Sequence, residues 1–286
     1  DIENRYFNAS DSVCLDRLRL ATEGYRQWAD KPAAIKRALT FQHILRGMRL
    51  DLKSNPLIAG NTSSAPRAWM IIPEFGIGGN NQVAIENDNL PVDWLEGKIP
   101  NEFVDFWEKQ DQAGDSPGGV AGIGHMSPDF DQAVNRGLWA IITDIDKQGQ
   151  KGTVEEQEYR SAMRISCEAV IEWSQRYANA AKELSESSNE PLLKMFYHRT
   201  AEACAQVPAR PPRTYFEALQ SMLLIHLASI IEGMGMSQSI GLPDRVLSRF
   251  SDEVSNNFDA AVSDTRAFLI GIMGNSFLGR GSKTQA

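Results

Sequence analysis

At 286 residues the chain can form one large domain or two small ones, and either would bury a sizeable core. Apolar residues make up 42% and charged residues 23%, the balance of an ordinary globular protein. The formal net charge of -8, with no Lys/Arg cluster above background, argues against a nucleic-acid surface and reads as a solvated acidic one.

The longest apolar run, Met222 to Ile231, is interrupted by His226 and Ser229. A membrane span needs about 18 or more apolar residues, so this is read as a buried helix and no membrane partner is expected. The N-terminus is polar, lacks the charged-then-apolar pattern of a signal peptide and has no initiating Met. It is therefore expected to be processed, trimmed or incomplete. Cys14, Cys167 and Cys204 are odd in number and far apart, which suits a reducing cytosol, hence a cytoplasmic protein, and not a disulfide framework.

Along the chain, Ser12 is a predicted N-cap for a helix over about Val13 to Ala29, and Pro32 opens a second helix carrying Ile35, Leu39, Ile44 and Met48 at helical spacing. The two form a predicted antiparallel hairpin, residues 12–50. From 51 to 122 the pattern is rich in loops: Pro, Gly and Asn punctuate short apolar pieces, Leu57-Ile58-Ala59 and Trp69-Met70-Ile71-Ile72, expected as short strands or extended segments. Gly76-Ile77-Gly78-Gly79-Asn80-Asn81 matches neither a dinucleotide fingerprint nor a P-loop and reads as a turn. A short amphipathic helix with Phe103, Phe106 and Trp107 follows Pro100, and then a Gly/Pro-rich loop, Gly114 to Gly122.

From 123 to 286 helix dominates. The predicted helices are Asp131 to Asp146, Val154 to Ser185, Pro191 to Gln206, Tyr215 to Glu232 and Ala260 to Met273. Thr153-Val154-Glu155-Glu156 has the capping-box pattern at the start of the second. The fold class is thus mainly α with a few short strands, in a single region with no internal repeat.

Metal chemistry has little support. His43, His125, His198 and His226 share no zinc-ligand spacing, and none has a Glu three residues before it, as a di-iron bundle needs. Cys167 and Cys204 sit mid-helix and read as small buried residues, not nucleophiles. His226 reads as a hydrogen-bonded core histidine. His125 differs, because Gly124-His125 precedes a helix start in a loop of the kind that displays functional side chains. Gly233, Gly235 and Gly241 surround Ser237-Gln238-Ser239, a row of neutral hydrogen-bonding groups after an apolar helix. That row is either a solvated turn or a site lining. Asp244-Arg245 is expected as a local ion pair.

Several motifs follow one another along the chain: Asp16-Arg17, Thr22-Glu23-Gly24-Tyr25, Leu57-Ile58-Ala59-Gly60-Asn61, Arg67, Pro73-Glu74, Gly124-His125 with Pro128-Asp129-Phe130, and Arg176-Tyr177-Ala178. Pro208, Pro211-Pro212, Thr214-Tyr215-Phe216-Glu217-Ala218-Leu219-Gln220 and Asp244-Arg245-Val246-Leu247 complete the set. With this ordered set the chain, from about Ser12 on, resembles the N-terminal portion of the glycyl radical enzymes, the pyruvate formate-lyase-like (formate acetyltransferase-like) family.

The resemblance implies the N-terminal part of a ten-stranded α/β barrel wrapped in helices, in a lyase, dehydratase or transferase of anaerobic metabolism. In that family a C-terminal glycine stores the radical, installed by a radical-SAM iron–sulfur activase. A cysteine on a central loop then abstracts a hydrogen atom from the substrate, often with a Glu two residues later as base. Neither loop is present in these 286 residues, so no catalytic residue is expected here and the fragment alone would be inactive. The activase, a small-molecule substrate and, when complete, a second copy in a homodimer are the implied partners. Substrate contacts are implied at His125 and Asp129, and at Ser237 and Ser239, with Met236 and Leu242 replacing a histidine and an arginine of the dehydratase-like members. An aryl acid or a sulfonate fits these replacements at least as well as a small polyol. The reading from another class is a non-catalytic helical interaction module derived from the fold. The helices around Leu223 and Phe268 are expected to expose apolar surface in a severed half-barrel.

Overall fold

The computed structural model describes residues 12–65, 68–75, 96–113, 127–149, 151–232 and 239–275. Strand β1, Ser12–Cys14, lies parallel to β2, Ala68–Met70, with Val13 opposite Trp69. Ser12 is therefore a strand residue and not the predicted N-cap, and helix α1 begins only at Asp16 and runs to Gln27. Three residues carry too little local pattern to declare a strand; the pairing partner decides it. Helix α2, Ala33–Gly47, packs back on α1, with Leu18, Ala21, Phe41, Ile44 and Leu45 buried between them and the rest of the core.

Leu57-Ile58-Ala59 forms no strand. Its backbone groups are taken by a side chain instead: Ala59 N–H donates to Gln220 Oε1 and Gln220 Nε2 donates back to Ala59 O, both at 2.8 Å. A single 3₁₀ turn, Pro73–Phe75, follows β2 and carries Glu74 inward. Helix α3, Asn101–Ala113, lies where the apolar spacing places it and buries Trp107.

The predicted helix over Asp131 to Asp146 is two helices, α4 (Phe130–Arg136) and α5 (Leu138–Gln148). The break is Gly137, with φ +76° and a missing Cβ that would lie 2.7 Å from Arg210 backbone atoms. There the N–H groups of Leu138 and Trp139 donate to Pro208 O and Ala209 O. Only glycine allows this backbone-on-backbone approach.

Helix α6 spans Val154–Ser187 and starts with the predicted capping box: Thr153 Oγ1 accepts from Glu156 N at 3.2 Å, and Thr153 N donates to Glu156 Oε2 at 2.8 Å. It runs between α2 and α7, Pro191–Gln206, whose first residue is a proline that lacks only a donor no helix start can use. Helix α8, Tyr215–Glu232, is the centre of the molecule, with Leu219, Met222, Leu223, Leu224 and Leu227 fully buried. Each such side chain contributes about 1.5–3 kcal/mol of apolar burial. Short helices α9 (Pro243–Leu247) and α10 (Ser251–Asn256), joined by a 3₁₀ turn, lead to α11, Phe258–Asn275.

Leu223 and Phe268 do not make the exposed apolar surface expected of them. Both are buried, because α8 and α11 pack against each other. The exposed apolar groups of α11 lie on its other side: Phe258, Val262, Leu269 and Met273. The Gly76–Asn81 and Gly114–Gly122 loops lie outside the described residues. Among the described residues no helix is long and apolar enough to cross a membrane.

Candidate functional site

The motifs that stand apart in the sequence meet one another in the fold. Arg17 is buried and bidentate to Glu74, at 2.7 and 2.8 Å, and its Nε donates to Ile231 O at the end of α8. Asn61 N–H donates to Tyr177 Oη at 3.0 Å, and the Tyr177 hydroxyl donates back to Asn61 Oδ1. Arg176 closes the C-terminus of α2 by donating to the carbonyls of Leu45 and Met48. Arg213 and Glu217 pair at the start of α8. These residues hold the frame together. Their hydrogen-bonding capacity is directed at each other, not at a ligand.

One pair of segments behaves differently. Ser127–Gln132, at the entry to α4, faces Ile240–Val246, at the entry to α9, across a cleft of ≈ 540 Å³. The two come together at Gly241, whose φ is +65° and whose missing Cβ would lie 2.7 Å from Ser127 Oγ. A side chain there would hold the walls apart. Asp129 caps α4, its Oδ1 accepting from Gln132 N at 3.1 Å, which fixes the carboxylate at the rim. Ser239 Oγ accepts from Gly241 N at 3.0 Å and shapes the opposite turn. Arg245 lines the cleft and pairs with Asp131 at 3.7 Å. The expected local pair Asp244-Arg245 is not the one formed, since the guanidinium reaches across the cleft instead.

Of the four candidate substrate contacts, Asp129 lines the cleft and Ser239 stands one residue before the second facing segment, while His125 and Ser237 lie outside the described residues. His125 and Ser237 stand two residues before Ser127 and Ser239, where the described chain resumes. Arg245 is the residue that sequence reasoning missed as a cleft group. Its local partner Asp244 offered a sufficient reading, and the contact that overrides it comes from α4.

A second cavity, ≈ 300 Å³ and mostly apolar, adjoins the cleft at Pro128 and is lined by Phe41, Leu138, Cys167, Ile225 and Glu232. Burial, and then the neighbouring charge of Glu168, push the Cys167 thiol up to about 11. Burial also holds the Cys204 thiol well above its ordinary range. Neither is a thiolate near neutral pH, so neither serves as a nucleophile there. Burial raises the Glu232 carboxyl, while its bidentate partner Arg37 pulls it the other way. Among the described residues no group of three or more His, Cys, Asp or Glu could hold a metal.

His226 is buried in α8, as predicted, but its Nδ1 has no hydrogen-bond partner among the described residues. Burial lowers its pKa from 6.5 to about 4. Between pH 6.5 and about 4 the unfolded chain binds the proton and the folded chain does not. Stability therefore falls as the pH is lowered through that window, by about 3 kcal/mol in total, with no contribution above it. In His226→Leu this loss should vanish, so urea-unfolding free energies of the two proteins should diverge by that amount between pH 6.5 and 4. Parallel curves would contradict the buried neutral imidazole.

Chemically, the cleft offers carboxylates, hydroxyls and one guanidinium, a set that binds and orients a polar molecule. Its described residues include no thiolate to break a bond.

Comparison with known proteins agrees with this frame. A family model described as pyruvate formate lyase-like matches residues 1–255. The (2S)-3-sulfopropanediol dehydratase of Klebsiella oxytoca is 28% identical over 282 residues, covering 86% of this chain and 34% of that protein. The isethionate sulfite-lyase of Oleidesulfovibrio alaskensis is 22% identical over 276 residues, with 80% and 33% covered. The glycerol-bound B12-independent glycerol dehydratase from Clostridium butyricum matches in structure with a TM-score of 0.80 at 22% identity, covering 96% of this chain and 39% of that one. The chain therefore spans about a third of the length of the curated relatives it matches.

Proposed function

Because the chain belongs to the pyruvate formate lyase-like family of glycyl radical enzymes, we propose that it forms one wall of the substrate cavity of a radical lyase or dehydratase. Such an enzyme cleaves a C–O, C–C or C–S bond of a small organic substrate. The observation that carries this reading is the convergence of Ser127–Gln132 and Ile240–Val246 on one polar cleft. These are the segments that lead out of His125 and Ser237.

The division of labour follows from the residues. Asp129, Arg245 and, by resemblance, His125, Ser237 and Ser239 bind and orient the substrate. Abstraction of a hydrogen atom needs the Cys-x-Glu loop and the radical glycine, which lie in polypeptide other than these 286 residues and are served there by an activase. The chain alone then binds and does not cleave.

An anionic substrate would engage Arg245 in place of Asp131. Leu242 stands where the dehydratase-like members carry an arginine, and Arg245, three residues on, returns a cation to the same wall. A sulfonate or carboxylate accepts from a guanidinium in charge-assisted geometry, whereas a neutral polyol gains little from it. The two curated relatives described above act, by their names, on sulfonates.

In the complete enzyme, His125→Ala should lower kcat by about 100-fold with an unchanged melting transition, and Arg245→Ala should raise KM for an anionic substrate with a smaller effect on kcat. Unchanged kinetics in both would remove the cleft from the site.

A further inference from the structure

The cleft between α4 and α9 is unbalanced in charge. Among the described residues its lining carries two carboxylates, Asp129 and Asp131, and one guanidinium, Arg245. The carboxylates stand on one wall, at the entry to α4, and the guanidinium on the other, on α9. Each carboxylate is held by one oxygen. Asp129 Oδ1 accepts from Gln132 N at 3.1 Å, and Asp131 Oδ1 accepts from Asn135 Nδ2 at 2.7 Å. Asn135 is itself fixed, its Oδ1 accepting from Arg249 at 2.9 Å.

Neither Oδ2 accepts a hydrogen bond from a described residue. Arg245 stands 3.7 Å from Asp131 Oδ2, an ionic approach too long for a hydrogen bond, so the guanidinium keeps its donors for another acceptor. The two walls are opposite in charge and face each other without closing on each other.

That arrangement discriminates among ligands by charge. An anion that takes Arg245 displaces Asp131 and leaves two carboxylates unpaired beside a third negative group, in a cleft that water screens only in part. A cation alone competes with Arg245 for Asp131 and strands the guanidinium. A molecule bearing both charges does neither. Its anionic end accepts from Arg245, while its ammonium donates to the oxygens that Asp129 and Asp131 leave open.

We propose that the cleft binds a small zwitterion, an ammonium sulfonate or ammonium carboxylate, and that Asp129 and Asp131 select it over the plain anion. This rests on the proposed function, the cleft as a substrate-binding wall, and narrows its substrate class.

Three matched probes test it. Taurine, isethionate and ethanolamine share a two-carbon chain and differ only in their end groups. Equilibrium titration of the chain at one low ionic strength, followed by amide NMR shifts, should show taurine bound at least about tenfold more tightly than either of the others. Asp129→Asn keeps the cap, because asparagine caps a helix as well as aspartate does, and Asp131→Asn keeps the acceptor for Asn135. The double variant should melt like the parent and bind taurine no more tightly than isethionate. Arg245→Gln should weaken taurine and isethionate alike, by about tenfold.

Isethionate or ethanolamine bound as tightly as taurine overturns the zwitterion, as does a taurine preference that survives the double variant. If isethionate then still depends on Arg245, the anion-binding wall stands without it. Binding of no probe up to about 50 mM, or binding indifferent to Arg245→Gln, removes the wall and the zwitterion together.

Discussion

Arg17→Ala is expected to destabilise the chain by about 3–5 kcal/mol, a large part of the 5–15 kcal/mol that holds a typical domain together. Arg17 is 1% exposed and donates three hydrogen bonds, two to Glu74 and one to Ile231 O. Removing the guanidinium leaves a buried carboxylate without its bidentate cation, and a helix-end carbonyl without its donor. The loss is therefore a penalty on what remains, more than the worth of the pair. Replacing both ends separates the two: Arg17→Met combined with Glu74→Leu should cost less than Arg17→Ala alone, because no charge is stranded. Urea unfolding of the parent, the single and the double variant provides the comparison. A double variant as unstable as the single would show that the ion pair itself, not the stranded charge, carries the energy.

Gln220→Leu should have an effect of similar size, about 2–6 kcal/mol, from leaving one backbone donor and one acceptor of Ala59 buried and unpaired. Ala59 and Gln220 are both 0% exposed, so water does not replace the lost amide. Gln220→Glu should be no milder: a carboxylate still accepts from Ala59 N–H but cannot donate to Ala59 O, and it strands a charge at a fully buried site. Both variants should therefore unfold well below the parent, Leu through two unpaired backbone groups and Glu through one unpaired acceptor and a buried charge. A loss under about 0.5 kcal/mol for Gln220→Leu would mean that the Leu57–Asn61 segment is hydrated and not fastened to α8.

Helices whose ends are set locally could be read from the sequence. Pro191 and Gln206 bound α7, and Tyr215 and Glu232 bound α8, where the prolines, the capping threonine and the apolar run put them. The capping box at Thr153 placed the start of α6. Elements set by distant partners could not be read. Gly137 breaks a helix because the Pro208 and Ala209 carbonyls dock there, and Ser12–Cys14 is a strand because Ala68–Met70 lies beside it. For the site, the Gly-His loop and the serine row marked two segments, but their convergence depends on the Gly241–Ser127 approach, a contact with no local signature. Arg245 was hidden for the same reason: Asp244 is its neighbour in sequence, and Asp131 its neighbour in space.

The central claim is that this chain supplies a binding wall while the bond-breaking groups lie in further polypeptide. Sequencing the reading frame downstream of the Ala286 codon tests it most directly. The account predicts an open frame that encodes a Cys-x-Glu loop and, near its end, a radical glycine loop. A stop codon immediately after Ala286, with no neighbouring gene encoding those two loops, would contradict it.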